Sequence, residues 1–388
     1  MSPPRSSFYT PGRRVAHQNS HIYVDHCYVQ HYAPSLLHSD APASPSLASP
    51  PPVLNASLTS PPPTSLPPST TAASPPAKPK IPILFIHGGG LTGAQWDATP
   101  DGRPSWAHRA AQAGHDVFAL DGVDSGRSAR APEWAREGES EHRTAREVWA
   151  RFRFGPDTEE AYARKDGWDD GVGQFGLIGG DEDAGGDGKS NAGGEAGREK
   201  REVWFENLVR GQSARRRNTD AVEARGIRDA IGMIGRCWIV AHSHGAALAL
   251  LAMRMDEEQV ETESELRGST LSGTVTRIPG EGVRMRDLVE KAVLIEPPGP
   301  PPDQPLWGKQ PETMKGLIVW GDYLKGHKIW DLVVKGYMRD GTAENLLLPE
   351  RGIRGNSHFP MCDKNSDVVW AEIYGWLAGG QGMKHGMR

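Results

Sequence analysis

The chain has 388 residues, a formal net charge of -5 and 37% hydrophobic residues. That balance lacks the basic footprint of a nucleic-acid or anionic-membrane partner, and no apolar run approaches the ~20 residues of a membrane-spanning helix. Three cysteines (Cys27, Cys237, Cys362) are too few for a disulfide framework and match no zinc spacing; no signal-type apolar core follows Met1-Ser2-Pro3-Pro4-Arg5, so a cytoplasmic protein is expected.

In chain order, residues 1–32 predict two strands, Ser7-Phe8-Tyr9-Thr10 and a longer one from Ile22 to Val29. Residues 33–80 turn Pro/Ser-rich and predict a disordered insertion, since such a segment buries too little apolar surface to offset its ordering entropy. Within 81–130, Ile81 to Ile86 is a buried strand running into His87-Gly88-Gly89-Gly90-Leu91-Thr92-Gly93. Ser105 to Gln112 reads as a helix closed by Gly114, and His115 to Asp121 as the next strand. Residues 131–235 far exceed an ordinary connection of about two to six residues. They read as a lid, with a disordered Gly/Asp-rich part at 179–199 and helix from Val203 to Ile234. Its aromatics Trp149, Phe152 and Phe154 are candidates to line a substrate pocket, although packing the lid onto the core would use them equally well. Residues 236–380 bring the strands Trp238–Ala241, Lys291–Glu296, Gly316–Asp322 and Glu344–Leu348, with helices Ala246–Met255, Ile329–Tyr337 and Asp367–Leu377. Residues 381–388 are a tail. Strands alternating with helices in this way predict a parallel doubly wound sheet.

The densest chemistry lies at Ala241-His242-Ser243-His244-Gly245, a G-x-S-x-G pattern with alanine for its first glycine. A strand leads in and an Ala/Leu helix follows, so the serine stands on a tight turn with its hydroxyl exposed. The His244 amide then lies at the positive end of the helix, aimed at any oxyanion forming there, and the three glycines at 88–90 leave a backbone free to turn a second amide inward. A serine nucleophile needs a neutral imidazole and a carboxylate to orient it. His358, in the loop Gly355-Asn356-Ser357-His358, is the candidate base. Glu296 and Asp322 both end predicted strands, and the residues alone leave the acid open between them. His242 and His244 form an H-x-H pair without partners at metal spacing, so no metal and no cofactor are expected. His87 is expected to brace the glycine loop.

Taken together, these segments resemble an α/β-hydrolase. More narrowly, they resemble a small, bacterial-type serine esterase family with a glutamate triad acid. The match rests on the N-terminal strands, His87 to Gly93 with Trp96, Thr99-Pro100-Asp101-Gly102-Arg103, Gly126-Arg127-Ser128, the elbow, Glu296-Pro297, Val319 to Asp322, and Gly355 to His358 with Asp363-Lys364-Asn365. The resemblance implies Ser243 as nucleophile, His358 as base, Glu296 as acid, with Asp322 the alternative, and oxyanion amides from Gly90 and His244. It implies cleavage of a small-molecule carboxylic ester through an acyl-enzyme; a homodimer stays open. Family members carry cysteine where this chain has Gly90, so a disulfide brace on that loop is not expected here. Rival readings are a thioesterase or lyase on the same triad, and a catalytically silent binding protein whose Pro-rich segment recruits partners.

Overall fold

The computed structural model describes residues 5–34, 80–136, 138–165, 195–255, 285–299, 314–327 and 329–379. Of the predicted Pro/Ser-rich segment all but residues 33, 34 and 80, of the Gly/Asp-rich part residues 179–194, and the whole tail 381–388 lie outside these residues.

Eight strands form the main sheet: β1 (Arg5–Tyr9), β4 (Tyr28–Tyr32), β6 (Val117–Asp121), β5 (Ile83–Ile86), β9 (Cys237–His242), β10 (Val289–Ile295), β11 (Lys315–Trp320) and β12 (Glu344–Leu347), in that spatial order. From β6 to β12 every pairing is parallel, while β1 and β4 add an antiparallel edge. Every residue of β5 and β9 is buried. Central parallel strands are covered on both faces, which is why Ile-Leu-Phe-Ile and Cys-Trp-Ile-Val-Ala read as continuous apolar runs without alternation.

Two apolar layers flank the sheet. One joins α1 (Trp106–Gln112) and the closing α9 (Ser366–Leu377) through Trp106, Ala110, Val369, Trp370 and Ile373. The other joins α5 (Asp220–Ile234), α6 (His244–Arg254) and α8 (Trp330–Asp340) through Ile227, Ile231, Leu248, Leu250, Val333 and Tyr337. A further short helix, α7 (Met285–Leu288), leads into β10. Local sequence sets the helix starts: Ser105 caps α1 by accepting from the His108 amide, as its side chain is free to do at an N-cap.

Three expectations change. The single strand from Ile22 to Val29 is broken, because Asp25 adopts φ 67° and its carboxylate is held by Arg13 and Arg136. Aspartate tolerates that conformation better than most residues. Residues before the break form a separate hairpin of β2 (Arg13–His17) and β3 (Ser20–Val24), and only those after it join the main sheet as β4. Second, the predicted disorder at 179–199 overruns: residues 195–199 open α4 (Glu195–Arg210). Third, a lid running to residue 235 takes in too much, because the apolar face of α5 packs with α6 in the sheet's own flanking layer. It is the crossover helix between β6 and β9, which a parallel connection requires.

What remains of the insertion is α2 (Ala145–Arg151), α3 (Glu159–Arg164), α4 and a two-residue pairing of β7 (Ser140–Glu141) with β8 (Arg215–Arg216). Thr144 and Glu147 form a reciprocal capping box at the start of α2. Among the described residues no helix is long and apolar enough to cross a membrane.

Candidate active site

Ser243 sits between β9 and α6 with φ 50° and ψ -125°, a conformation costly for a residue with a side chain. The turn brings strand and helix so close that a Cβ on Gly245 would lie 2.1 Å from the His87 carbonyl oxygen, so only glycine fits there. Ala241, replacing the pattern's first glycine, still lies within the strand and packs in the buried apolar layer beneath it.

Ser243 Oγ and His358 Nε2 are 2.8 Å apart, and His358 Nδ1 is 3.0 Å from Glu296 Oε2. A carboxylate only accepts, so Nδ1 carries the proton and Nε2 is left to accept from the serine. Burial drives the His358 pKa down to about 4; Glu296 works against that, while the positive charges of Arg153 and Arg143 reinforce it. The imidazole is therefore neutral at physiological pH. For Glu296, burial alone would raise the pKa, but Arg153 and His358 outweigh it and hold the carboxyl at about 2.

Each polar group of His358 has a partner. Its amide donates to the Phe152 carbonyl at 3.0 Å, and its carbonyl accepts from His242 Nε2 at 2.8 Å. The His242 Nδ1 accepts from Gln95 Nε2 at 3.1 Å, and burial keeps this ring's pKa well below the usual histidine value. Asp363 ties the loop beneath, accepting from the Ser357 amide and hydroxyl, both at 2.8 Å, and burial pushes its pKa up to about 7.

Asp322 takes another part. Its carboxylate accepts from the Tyr323 amide at 2.8 Å and the Gly355 amide at 3.1 Å, and its own amide donates to the Asn356 carbonyl at 2.8 Å. It fastens the end of β11 to the loop that carries His358, whereas Glu296 meets the imidazole itself.

The glycine run lies on the elbow: a Cβ on Gly89 would come within 3.0 Å of the His244 Cβ. His87 is buried, with Nδ1 donating to the Gly88 carbonyl and Nε2 accepting from the Gly122 amide, both at 2.8 Å. Gly90 has φ 75° and its carbonyl accepts from the Ser213 amide at 2.8 Å. Arg143 Nη1 donates to the Gly89 carbonyl at 3.1 Å.

Of the three candidate pocket aromatics only Phe152 reaches this site. Its ring stacks on His358 at 4.7 Å and 9°. Trp149 and Phe154 are fully buried in an aromatic cluster with Phe205, and Phe154 also meets Trp204 and Phe359. Packing claims them, as apolar surface in an insertion must be covered by something. Sequence reading missed Arg153 and Trp330, whose ring lies 4.8 Å from that of His358, and weighed His242 only as a metal ligand. No spacing rule marks a lone arginine after a helix or a tryptophan eighty-seven positions from the serine.

Among the described residues Asp220, Glu223 and His244 place ligand-type atoms within 4.8 Å of one another. Arg215 occupies that cluster, with Nη2 2.5 Å from Asp220 and Nε 3.8 Å from Glu223, so a fixed guanidinium already supplies positive charge there.

Comparison with known proteins agrees with this architecture. Superposed on the atomic-resolution structure of a novel bacterial esterase, the chain gives a TM-score of 0.60 at 18% identity, over 98% of this chain and 96% of that one. With carboxylesterase CesB from Bacillus subtilis the TM-score is 0.35 at 10% identity, over 97% and 93% of the two chains, too distant to bear weight. The chain therefore has the α/β-hydrolase fold. In sequence, 57 residues are 46% identical to the probable secreted lipase phiG of a Fungal sp. (strain ATCC 74256). That stretch is 15% of this chain and only 15% of the lipase's own length. No family model matches the chain.

Proposed function

We propose that this chain is a cofactor-independent serine hydrolase that cleaves carboxylic esters of small molecules. The carrying observation is the unbroken line from Ser243 Oγ through His358 to Glu296, with links of 2.8 and 3.0 Å and a base held neutral. Similarity to a bacterial esterase in fold, and to a probable lipase over a short stretch, supports an ester as the bond attacked.

Ser243 Oγ attacks the acyl carbon while its proton passes to His358 Nε2. The imidazolium is stabilised by Glu296, whose low pKa keeps it a carboxylate throughout. The developing oxyanion is held by the amides of Gly90 and His244, the latter at the positive end of α6. Collapse expels the alcohol, which takes the proton from Nε2. Water, deprotonated by the same nitrogen, then attacks the acyl-enzyme, and the acid leaves as Ser243 regains its proton. Dispersal of the reaction over two steps is what a covalent intermediate provides.

The test is Ser243→Ala with short aryl esters and a fluorophosphonate probe. Turnover falls by at least about 10³-fold, the scale seen when a triad member is removed, and mass spectrometry finds the probe on Ser243 of the parent protein alone. Undiminished turnover in the variant, or an unlabelled parent serine, refutes the assignment. An unlabelled serine is also what the silent-binding alternative requires.

A further inference from the structure

Three consecutive residues at the end of α2 each hold a different part of the site. The Arg151 carbonyl accepts from Trp330 Nε1 at 3.1 Å, Phe152 covers the His358 ring and accepts its amide, and the Arg153 guanidinium reaches Glu296. Arg153 carries φ 62° and is fully buried. Its Nη2 donates to Glu296 Oε1 at 2.7 Å, its Nε donates to the Asp322 carbonyl at 2.9 Å, and its charge stands 5.1 Å from the Trp330 ring centre. The Gly321 amide donates to the same Glu296 oxygen at 2.6 Å. One carboxylate oxygen is thus saturated by Arg153 and Gly321 while the other faces the imidazole.

Resting on the Ser243–His358–Glu296 reading, we infer that Arg153 is a positioning residue of the insertion that fixes Glu296 against His358 and sets the proton affinity of that pair. With the guanidinium present, Glu296 and Arg153 cancel, and protonating the imidazole adds a net positive charge to a dry site. Without it, the same proton neutralises a lone carboxylate and is far more welcome. A buried charge within about 4–6 Å shifts a neighbour's pKa by about 1–3 units. The other groups facing His358 are Arg143, also from the insertion, and His242 from β9. Asp363 and His327 also feel the Arg153 charge, from the loop after His358 and from the segment before α8. Arg153 alone among these cations bonds the acid itself.

The experiment compares Arg153→Gln, Arg153→Met and Arg153→Lys with the parent, each as the full chain. It follows kcat/KM for a neutral aryl ester, and the rate of fluorophosphonate labelling at Ser243, across pH 3.5 to 9 as approximate limits set by the His358 value near 4. In whichever neutral variant folds, the acidic limb of both profiles moves about one to two units to higher pH, and the plateau drops. The Lys variant keeps the parent limb with a lower plateau, because one ammonium cannot serve both Glu296 and the Asp322 carbonyl. A limb unmoved in a folded neutral variant, or displaced by a full unit in the Lys variant, overturns the inference. Failure of the parent to label at Ser243 overturns the triad reading instead, so the two failures are distinct.

Discussion

The ends of β10 and β11 make an instructive pair. Each parallel strand finishes at an acid, and the two strands are adjacent in register, with Ile295 opposite Val319. At the end of β10 the chain turns through φ 51° at Glu296, sending a fully buried side chain to His358, Arg153 and Gly321. Beyond the end of β11, two residues further on in register, Asp322 spends its carboxylate on the amides of Tyr323 and Gly355. The positive φ falls on Tyr323 instead. Like chemistry at two neighbouring strand ends therefore yields a partner for the imidazole, itself ion-paired to Arg153, in one case and a loop fastener in the other. Backbone turn and side-chain length decide between them.

The comparison breaks most sharply at Glu296→Gln. The amide presents Oε1 or Nε2 to His358 but not a charge, so the imidazolium loses its counter-ion and Arg153 loses its ion pair with Glu296. Steady-state kinetics on a short aryl ester should show kcat down about 10³- to 10⁴-fold, as when a triad carboxylate becomes an amide. Glu296→Asp sharpens the same point. A carboxylate one methylene shorter cannot reach His358 and still meet Gly321, and a misplacement of about 1 Å costs about 10²-fold. Activity equal to the parent's in this variant would show that charge near the imidazole suffices and placement does not matter. The smallest effect belongs to Asp322→Asn. The side-chain oxygen still accepts one amide, so kcat stays within a few-fold while stability falls by about 1 kcal/mol, measured by denaturant titration. A loss larger than that of Glu296→Gln would transfer the acid's role to β11.

Much of the site is legible in the linear sequence. The elbow, the glycine run and the Asn-Ser-His loop each carry a local signature, because a tight turn or a close backbone approach restricts residue type at fixed offsets. Strands β5 and β9 stand out as unbroken apolar runs. The break at Asp25 does not, since it depends on Arg13 and on Arg136, a hundred and eleven residues away. Trp149 and Phe154 also mislead: an aromatic in an insertion looks the same in sequence whether it faces substrate or packs against Phe205.

The linear chain thus determined the order of strands and helices, the serine on its turn, and a short roster of acids and histidines at strand ends. Those follow from periodicity and from backbone demands that act over a few residues. Only the folded arrangement decided which acid meets His358 and that residues 151–153 of the insertion press on the site. Such choices depend on distances between groups 62 and 143 positions apart, and no local pattern encodes a contact whose existence rests on how every intervening element packs.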